Sequence, residues 1–436
     1  MPRHHMLTRL SRYFTVLWMD PPKGWREILK AEPDHPMTEP LPNYPGFMCQ
    51  RQSAWLPYLY RPASLGFFLA RLRFDQAIRR LRERGAKKTV LYLWRPQFED
   101  ALEHIPHDFS CYHIDDEYSF QTEEQPLDEQ ELRVIRKVSH VFIHSPALVE
   151  RKGHFNPRTS FIPNGVDYLA FSKQSPEPID LREIPHPRIG YVGWIKSQLN
   201  LGLLSQLAAR HSDWSLVLVG PSRVTGDDAA IFEQMLLRPN VYYLGYKSIE
   251  QVAAYPQHLD VCLLPYQNNA YTNCIYPMKL HEYLASGRPV VGTPIRSLDE
   301  FQGVVQLAGT LDEWSAAIAT SLSARSMTQS RVRLRRSVAA THDWNVLADG
   351  VAQDQTDPLS AALGDSHRPH PTIAGFTIEQ RHHGVRQILG CDIRQGNIHD
   401  NPPAPLDRSP RRDPLIESAA ATHPERPAPH RHRHDA

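Results

Sequence analysis

Short apolar runs alternate along the chain with stretches of helical periodicity. Two series of these runs predict β-strands, at 14–20, 89–94, 110–115, 140–145 and 159–164, and then at 188–193, 215–220, 241–245, 261–266, 289–294 and 304–308. Several of the runs are almost continuously apolar, as is typical of parallel strands covered on both faces. Because strands alternate with helices in each series, the pattern predicts an α/β protein with doubly wound parallel sheets.

The Pro-rich segment 168–187 separates the two series. We therefore predict a first α/β domain at 1–172 and a second at 173–350. Residues 351–436 are rich in Pro, Arg and His and contain no Lys, Tyr or Trp. Such a segment buries too little apolar surface to offset the entropy lost on ordering, so a disordered tail is predicted.

The second series of strands and helices contains residue patterns typical of helix ends. Thr310 and Glu313 have the spacing of a capping box, which predicts a helix start. In "YPMKLHEYLASGRPVV", Pro277 is placed to begin a helix, and Gly287 and Pro289 end it before an apolar strand.

Composition and charge narrow the function classes. The chain has 41% hydrophobic residues, 22% charged residues and a net charge of +1, which does not favour a dedicated nucleic-acid binder. Its five cysteines show no CxxC spacing, as expected of reduced thiols in the cytoplasm. No apolar run approaches the roughly 18 residues of a membrane span. We expect a cytoplasmic protein.

The residues that follow the strands of the second domain indicate a ligand site, since doubly wound sheets bind ligands beyond the carboxyl ends of their strands. Gly193 and Lys196 follow one strand, Gly220 follows the next, and Gly245 and Tyr246 follow a third. Glycine lets backbone N–H groups approach a ligand closely. Each glycine alone is more often a simple turn residue, and only their recurrence favours a binding site.

The helix that begins near Pro277 and Met278 adds further chemistry. Its N-terminus would present N–H donors and a positive dipole end to a phosphate. Glu282 can accept two hydrogen bonds from the vicinal hydroxyls of a ribose. The alternative is that Lys279 and Glu282 form an ordinary surface ion pair. Together these features favour a sugar-nucleotide site.

Three stretches carry a family resemblance, namely "RIGYVGWIKSQLNLGLLSQLAARHSDWSLVLVGPS", "RPNVYYLGYKSIEQVAAYPQHLDVCLLPY" and "NAYTNCIYPMKLHEYLASGRPVVGT". They resemble the C-terminal domain of GT-B glycosyltransferases of the glycosyltransferase family 4 (glycosyl transferases group 1) type. "CYHIDDEYSFQ" and "HVFIHSPALVERKGHFNPRTSFIPNGVD" look like the N-terminal domain of the same group, and "THDWNVLADG" looks like its terminal crossing helix.

The resemblance implies two Rossmann-like domains that face each other across a cleft. The first would take a glycan or lipid-linked acceptor, and the second would take a UDP- or GDP-linked sugar. It implies transfer with retention and without a metal or other cofactor, in polysaccharide or glycoconjugate synthesis. Glu282 corresponds to the ribose-binding glutamate of the family, and the turn from Pro277 through Met278 to Lys279 corresponds to the diphosphate site.

The sequence departs from the family at three places. The donor-sugar glutamate would fall on Cys274, so Cys274 and Asn273 are candidates for contact with the donor sugar. The arginine that neutralises the diphosphate in related sequences is replaced by Gln198, which leaves the role to Lys196. Relatives also begin with a strand before the helix matched by "HHMLTRLSRYF", so the first domain is short of its first strand.

The motif "YHIDDEYSF" is the candidate lining of the cleft from the first domain. Strand alternation places His113 and Asp115 on one face and Asp116 on the other. Either aspartate would orient the acceptor, and together with Lys196 they form our predicted catalytic set; alternatively, one of them caps the next helix.

Three other functions are alternatives to this one. "DDE" also suits the metal-binding carboxylates of GT-A glycosyltransferases, although two strand–helix series disfavour that fold. The missing first strand and Cys274 leave open a catalytically inactive relative that binds a sugar nucleotide or a partner. A sugar-nucleotide 2-epimerase would need acid–base groups that the sequence does not offer.

The basic segment 61–88 is amphipathic. It suits peripheral contact with an anionic inner-membrane face, which would fit a lipid-linked acceptor. The alternative, which we favour, is a sheet-covering helix with a solvated basic face.

Overall fold

The apolar runs form two parallel β-sheets. The computed structural model describes residues 2–19, 44–50, 63–117, 128–353 and 372–376. The first sheet contains β1 (Thr15–Met19), β2 (Phe47–Gln50), β3 (Thr89–Leu93), β4 (Phe109–Ile114), β5 (His140–Ile143), β6 (Thr159–Phe161) and β13 (Thr372–Phe376). The second sheet contains β7 (Arg188–Val192), β8 (Ser215–Val219), β9 (Val241–Tyr243), β10 (Val261–Leu264), β11 (Val290–Gly292) and β12 (Val305–Leu307).

Helices connect the parallel strands. In the first domain they are α1 (Pro2–Leu10), α2 (Ala63–Glu83), α3 (Glu99–His104), α4 (Glu129–Lys137) and α5 (Pro146–Lys152). In the linker and the second domain they are α6 (Tyr168–Ser172), α7 (Leu201–Arg210), α8 (Asp227–Leu236), α9 (Ile249–Val252), α10 (Met278–Ser286), α11 (Leu311–Ser321), α12 (Gln329–Ala340) and α13 (Trp344–Gln353). No described helix is long and apolar enough to cross a bilayer.

The second sheet has the strand order β12-β11-β10-β7-β8-β9. All of its pairs are parallel, with Ile189 opposite Leu216 on one side and opposite Val261 on the other. Strand order reverses between β7 and β10, which is the point at which doubly wound sheets bind their ligands. β7, β8 and β10 are buried along their whole length, which confirms the prediction from their continuous apolar runs.

The first sheet has the order β2-β1-β13-β3-β4-β5-β6, and its strand pairs are also parallel. This is the doubly wound order with β13 in the position of the first strand. Ile373 lies opposite Val16 on one side and Val90 on the other. The position that the resemblance implies for a strand ahead of α1 is therefore occupied by β13, a strand that follows α13 in the chain.

The structure departs here from the predicted tail. Within 351–436, α13 runs on to Gln353, and Thr372–Phe376 form β13; the other tail residues lie outside the described residues. "TIAGF" is a short apolar run whose signal is lost in the Pro- and His-rich composition around it. Pairing on both edges satisfies its backbone N–H and C=O groups, which the isolated segment cannot do.

The ends of α10 and α11 follow the local sequence signals. Pro277 is the N-cap of α10, and Gly287 ends it with a left-handed φ of 83°. Thr310 and Glu313 form the predicted capping box of α11. β2 was not predicted, because four residues give too short a run to show alternation.

The last helix returns to the first domain. The rings of His5 in α1 and Trp344 in α13 stack with centroids 5.6 Å apart, and Tyr13 donates a hydrogen bond to Asp349 at 2.8 Å. Trp344 is buried in the same apolar cluster as the β1 residue Trp18. This packing joins the two ends of the described core around one face of the first sheet.

Candidate functional site

The carboxyl ends of β7 and β8 meet the N-terminus of α10 at one edge of the second sheet. Tyr283 of α10 fixes this arrangement, because its hydroxyl accepts a hydrogen bond from Val192 N–H at 2.8 Å. Within the part of the chain that the structure describes, no side chain caps the helix at Pro277. The first amide groups of α10 and their positive dipole end are thus available to an anion.

Two glycines allow the strand ends and the Lys279 side chain to pack closely at this edge of the sheet. A Cβ atom on Gly193, whose φ is 152°, would lie 1.8 Å from Cε of Lys279. A Cβ atom on Gly220, whose φ is 128°, would lie 2.1 Å from the carbonyl oxygen of Gly193. Only glycine therefore lets the two strand ends approach each other while Lys279 lies across them.

We expect Gly193→Ala to lower the free energy of unfolding by about 1–3 kcal/mol, because the new methyl group must displace Lys279 and the backbone is left-handed. Chemical denaturation measures this change. Gly226→Ala is the matched control, since Gly226 has a φ of 62° but no heavy atom within 4 Å of the added Cβ. Equal losses for the two variants would contradict the close packing of Lys279 on Gly193.

Lys279 and Glu282 lie one helical turn apart on α10. The ammonium of Lys279 is 5.7 Å from the ring centroid of Tyr191, a buried residue of β7. Burial raises the pKa of the half-buried Glu282 carboxyl, and the neighbouring Lys279 partly offsets this increase. The pair is therefore part of a recessed site rather than an exposed ion pair on the surface.

Three cations gather around this edge. Burial lowers the pKa of Lys196, and the charges of Lys279 and Arg223 lower it further. Among the described residues, none of the three has a carboxylate partner within 4 Å. Cations held together without a carboxylate in direct contact are the electrostatic signature of an anion site.

The "DDE" motif follows β4 on the first domain. Asp115 pairs with Arg3 of α1 at 3.3 Å, and both side chains are buried. Asp116 accepts hydrogen bonds from Glu117 N–H at 2.8 Å and from the hydroxyl of Tyr271 at 3.1 Å. Burial raises the pKa of Asp116, and the charge of Asp115 raises it further. Because Tyr271 belongs to the second domain, this hydrogen bond spans the cleft.

Glu117 belongs to a buried ion network behind the cleft. Lys152 donates to Glu117 and to Glu131 at 2.7 Å each, and all three side chains have 0% exposure. Tyr112 of β4 donates to Glu131 at 3.0 Å. The network ties the end of β4 to α4 and α5, and so fixes the backbone that carries Asp116.

Cys274 faces the first domain. Its side chain is buried in an apolar cluster with β3 and β4 residues, and Arg151 of α5 donates to its Sγ at 3.5 Å. Asn273 accepts from Arg296 N–H and donates to Asn269 O, so its amide organises its own loop. The contacts of these two residues, our candidates for donor-sugar contact, are therefore with protein.

The structure brings most of the predicted site residues together. Five of them lie at the carboxyl end of β7: Gly193, Lys196, Gly220, Lys279 and Glu282. The charge of Asp116, on the other side of the cleft, raises the pKa of Lys196 and so partly offsets the effect of burial. Tyr246 follows Gly245, whose carbonyl accepts from Gly220 N–H, but its ring is 70% exposed. Met278 starts α10 and packs against an apolar cluster of the first domain.

Three residues of the site were not predicted. Arg223 lies three positions after Gly220, so a prediction that included the few residues beyond each strand end would have included Arg223. Tyr271 and Arg3 carry no comparable sequence signal, because their partners are distant in the chain. No three His, Cys, Asp or Glu side chains of the described segments come together as metal ligands.

Residues 186–324 match the family described as "Glycosyl transferases group 1". The matched residues lie within the second domain. The matched region begins just before β7 and includes the whole cation cluster, so the resemblance that the sequence indicated is confirmed.

TuaH of Bacillus subtilis (strain 168), a protein assigned as a teichuronic acid biosynthesis glycosyltransferase, is 30% identical over 232 residues. The match covers 51% of this chain and 57% of that relative. The chain thus spans less than two thirds of the length of this relative.

Solved structures share the two-domain architecture. Sucrose-phosphate synthase from Thermosynechococcus elongatus gives a TM-score of 0.62 at 17% identity, over 82% of this chain and 92% of that one. Anabaena Alr3699/HepE in complex with UDP-glucose gives 0.54 at 16% identity, over 79% and 99%. The fold is GT-B, as predicted.

Proposed function

We propose that the protein is a glycosyltransferase that moves a sugar from a nucleotide-sugar donor to a glycan or lipid-linked acceptor. The observation that carries this proposal is the cluster of Lys196, Lys279 and Arg223 beside the N-terminus of α10, three cations with no carboxylate of the described residues within 4 Å. A diphosphate supplies the negative charge that such a site lacks.

The roles of the residues follow from the charge that develops during transfer. The leaving diphosphate gains negative charge while the sugar becomes oxocarbenium-like, so Lys196 and Lys279 would stabilise the transition state more than the ground state. Glu282 would accept hydrogen bonds from the ribose hydroxyls. Asp116 would orient the acceptor from the opposite side of the cleft.

The finer features of the reaction belong to the same proposal. We propose retention of the anomeric configuration without a metal ion or other cofactor, with the departing phosphate taking the acceptor proton. Cell-surface polysaccharide or glycoconjugate synthesis is supported by the similarity to TuaH. A UDP-linked donor is supported by the UDP-glucose bound to the structural relative HepE, and a GDP-linked donor is the alternative.

Peripheral membrane contact through 61–88, on the cytoplasmic side, would bring a lipid-linked acceptor to the cleft. Phe68 and Leu72 of α2 are 55% and 39% exposed, one turn apart, and Arg71 beside them is exposed. Apolar and basic side chains on one exposed helix face suit an anionic membrane surface.

A thermal-shift panel of UDP-, GDP-, ADP- and dTDP-sugars tests the donor site. We expect one nucleotide class to stabilise the wild type, by about 2.7 kcal/mol at a hundredfold excess over Kd, and this gain to disappear in Glu282→Ala. Glu233→Ala, on the exposed face of α8, is the control and should retain the shift.

The absence of any shift in the wild type would overturn the proposal. Stabilisation without release of nucleoside diphosphate in the presence of acceptor glycans would indicate a sugar-nucleotide-binding relative instead of an enzyme. Activity that is lost in EDTA and restored by Mn²⁺ would contradict metal-independent transfer, and NMR of the product anomer tests retention.

A further inference from the structure

Gln198 occupies the position where the resemblance implies a diphosphate-binding arginine, but its side chain lies beside the hydroxyl of Tyr271. Burial raises the pKa of the Tyr271 hydroxyl, the Gln198 side chain beside it opposes that rise, and Tyr271 in turn donates to Asp116. Gln198 thus joins a chain of contacts toward the first domain. The cation that related sequences place here must come from elsewhere if the diphosphate is to be neutralised.

Arg223 approaches the same place from the neighbouring strand. Ile195 and Ser222 form a parallel β-bridge, and Arg223 N–H donates to Ile195 O at 2.8 Å, so the loops after β7 and β8 are held side by side. The Arg223 guanidinium lies 4.2 Å from the ring centroid of Trp194, and Lys196 Nζ lies 5.8 Å from that same centroid. Trp194 therefore positions both cations.

Arg223 adds positive charge to a cluster whose two lysines each lie near a carboxylate. Asp116 acts on Lys196, and Glu282 acts on Lys279, so each lysine has a nearby carboxylate that offsets it when ionised. Arg223 adds a third positive charge that acts on Lys196, and among the described residues no carboxylate lies within 4 Å of its guanidinium.

We propose that Arg223 is a donor-binding residue that replaces the arginine missing at Gln198. It would make the site select nucleoside diphosphate sugars over nucleoside monophosphate sugars. This inference rests on the proposed function, since it names a residue and a substrate class for the same site. The planar guanidinium, stacked on Trp194 and so held in place, suits bidentate contact with a phosphate.

Calorimetric titration of the full chain with UDP and UMP, or with GDP and GMP if the guanine nucleotides stabilise it, tests the inference. We expect Arg223→Gln to weaken the nucleoside diphosphate about tenfold or more and the monophosphate less than threefold. Arg223→Lys should recover part of the affinity, and Arg182→Gln, at an exposed position away from the cluster, should leave both constants unchanged.

The outcomes separate this inference from the proposed function. If the wild type binds no nucleotide, the proposed function fails and the inference fails with it. If Arg223→Gln binds the diphosphate as tightly as the wild type does, only the inference is overturned. Equal losses for diphosphate and monophosphate would also overturn it, because Arg223 would then act on the nucleoside or through Trp194.

Discussion

Lys152→Met is expected to lower the free energy of unfolding by about 3–5 kcal/mol, because it leaves Glu131 buried without its cation and leaves Glu117 with only the longer contact to Arg151, at 3.5 Å. Lys152 donates to both carboxylates at 2.7 Å, and none of the three side chains is exposed. Methionine keeps most of the side-chain volume, so the loss reports charge rather than a cavity. Denaturant unfolding followed by circular dichroism measures the change.

Lys137→Met is the matched control. Lys137 also contacts two carboxylates, those of Glu99 and Glu103, but it is 42% exposed. Water screens exposed ion pairs, so this variant should unfold close to the wild type. A comparable loss in both variants would contradict the assignment of the large effect to burial.

The loss at Lys152 should depend on pH. Burial already raises the pKa of Glu131, with Lys152 opposing that increase, so its removal raises the pKa further. The folded state then binds more protons than the unfolded state, and stability falls as pH rises through the ordinary glutamate pKa. The deficit of Lys152→Met should therefore be smaller at pH 5 than at pH 8.

Asp116→Asn is expected to reduce the transfer rate about 10²-fold or more, since it removes the carboxylate that faces the cations across the cleft. The measurement is release of nucleoside diphosphate from the donor that the thermal-shift panel identifies. Asp299→Asn, an exposed carboxylate beside Arg296, is the control and should keep the wild-type rate. A wild-type rate in Asp116→Asn would remove Asp116 from the mechanism.

The pH profile distinguishes a functional carboxylate from a structural one. Burial and Asp115 raise the pKa of Asp116, so activity that needs its ionised form is lost, as pH falls, at a pH above the ordinary aspartate range. The Tyr271 hydrogen bond lowers this pKa, so Tyr271→Phe should move the acid limb to higher pH. An unmoved limb would contradict the contact across the cleft.

Local signals accounted for the elements that flank the site. Pro277 and Gly287 bound α10, and Thr310 with Glu313 begins α11, because caps involve only residues within one turn of each other. β7, β8 and β10 followed from continuous apolar runs, which depend on burial of both faces. β13 did not, because a five-residue run is a strand here only by pairing with β1 and β3.

The two α/β domains, the helix at the proposed anion site, and the lysines and glutamate beside that site can all be predicted from the sequence. Three contacts depend on the tertiary structure: Arg223 and Lys196 meet at Trp194, Tyr271 reaches Asp116, and Cys274 faces the first domain. Tyr271 and Asp116 are 155 residues apart in the chain. Strand order and domain packing set such contacts, and no local pattern of residues encodes them.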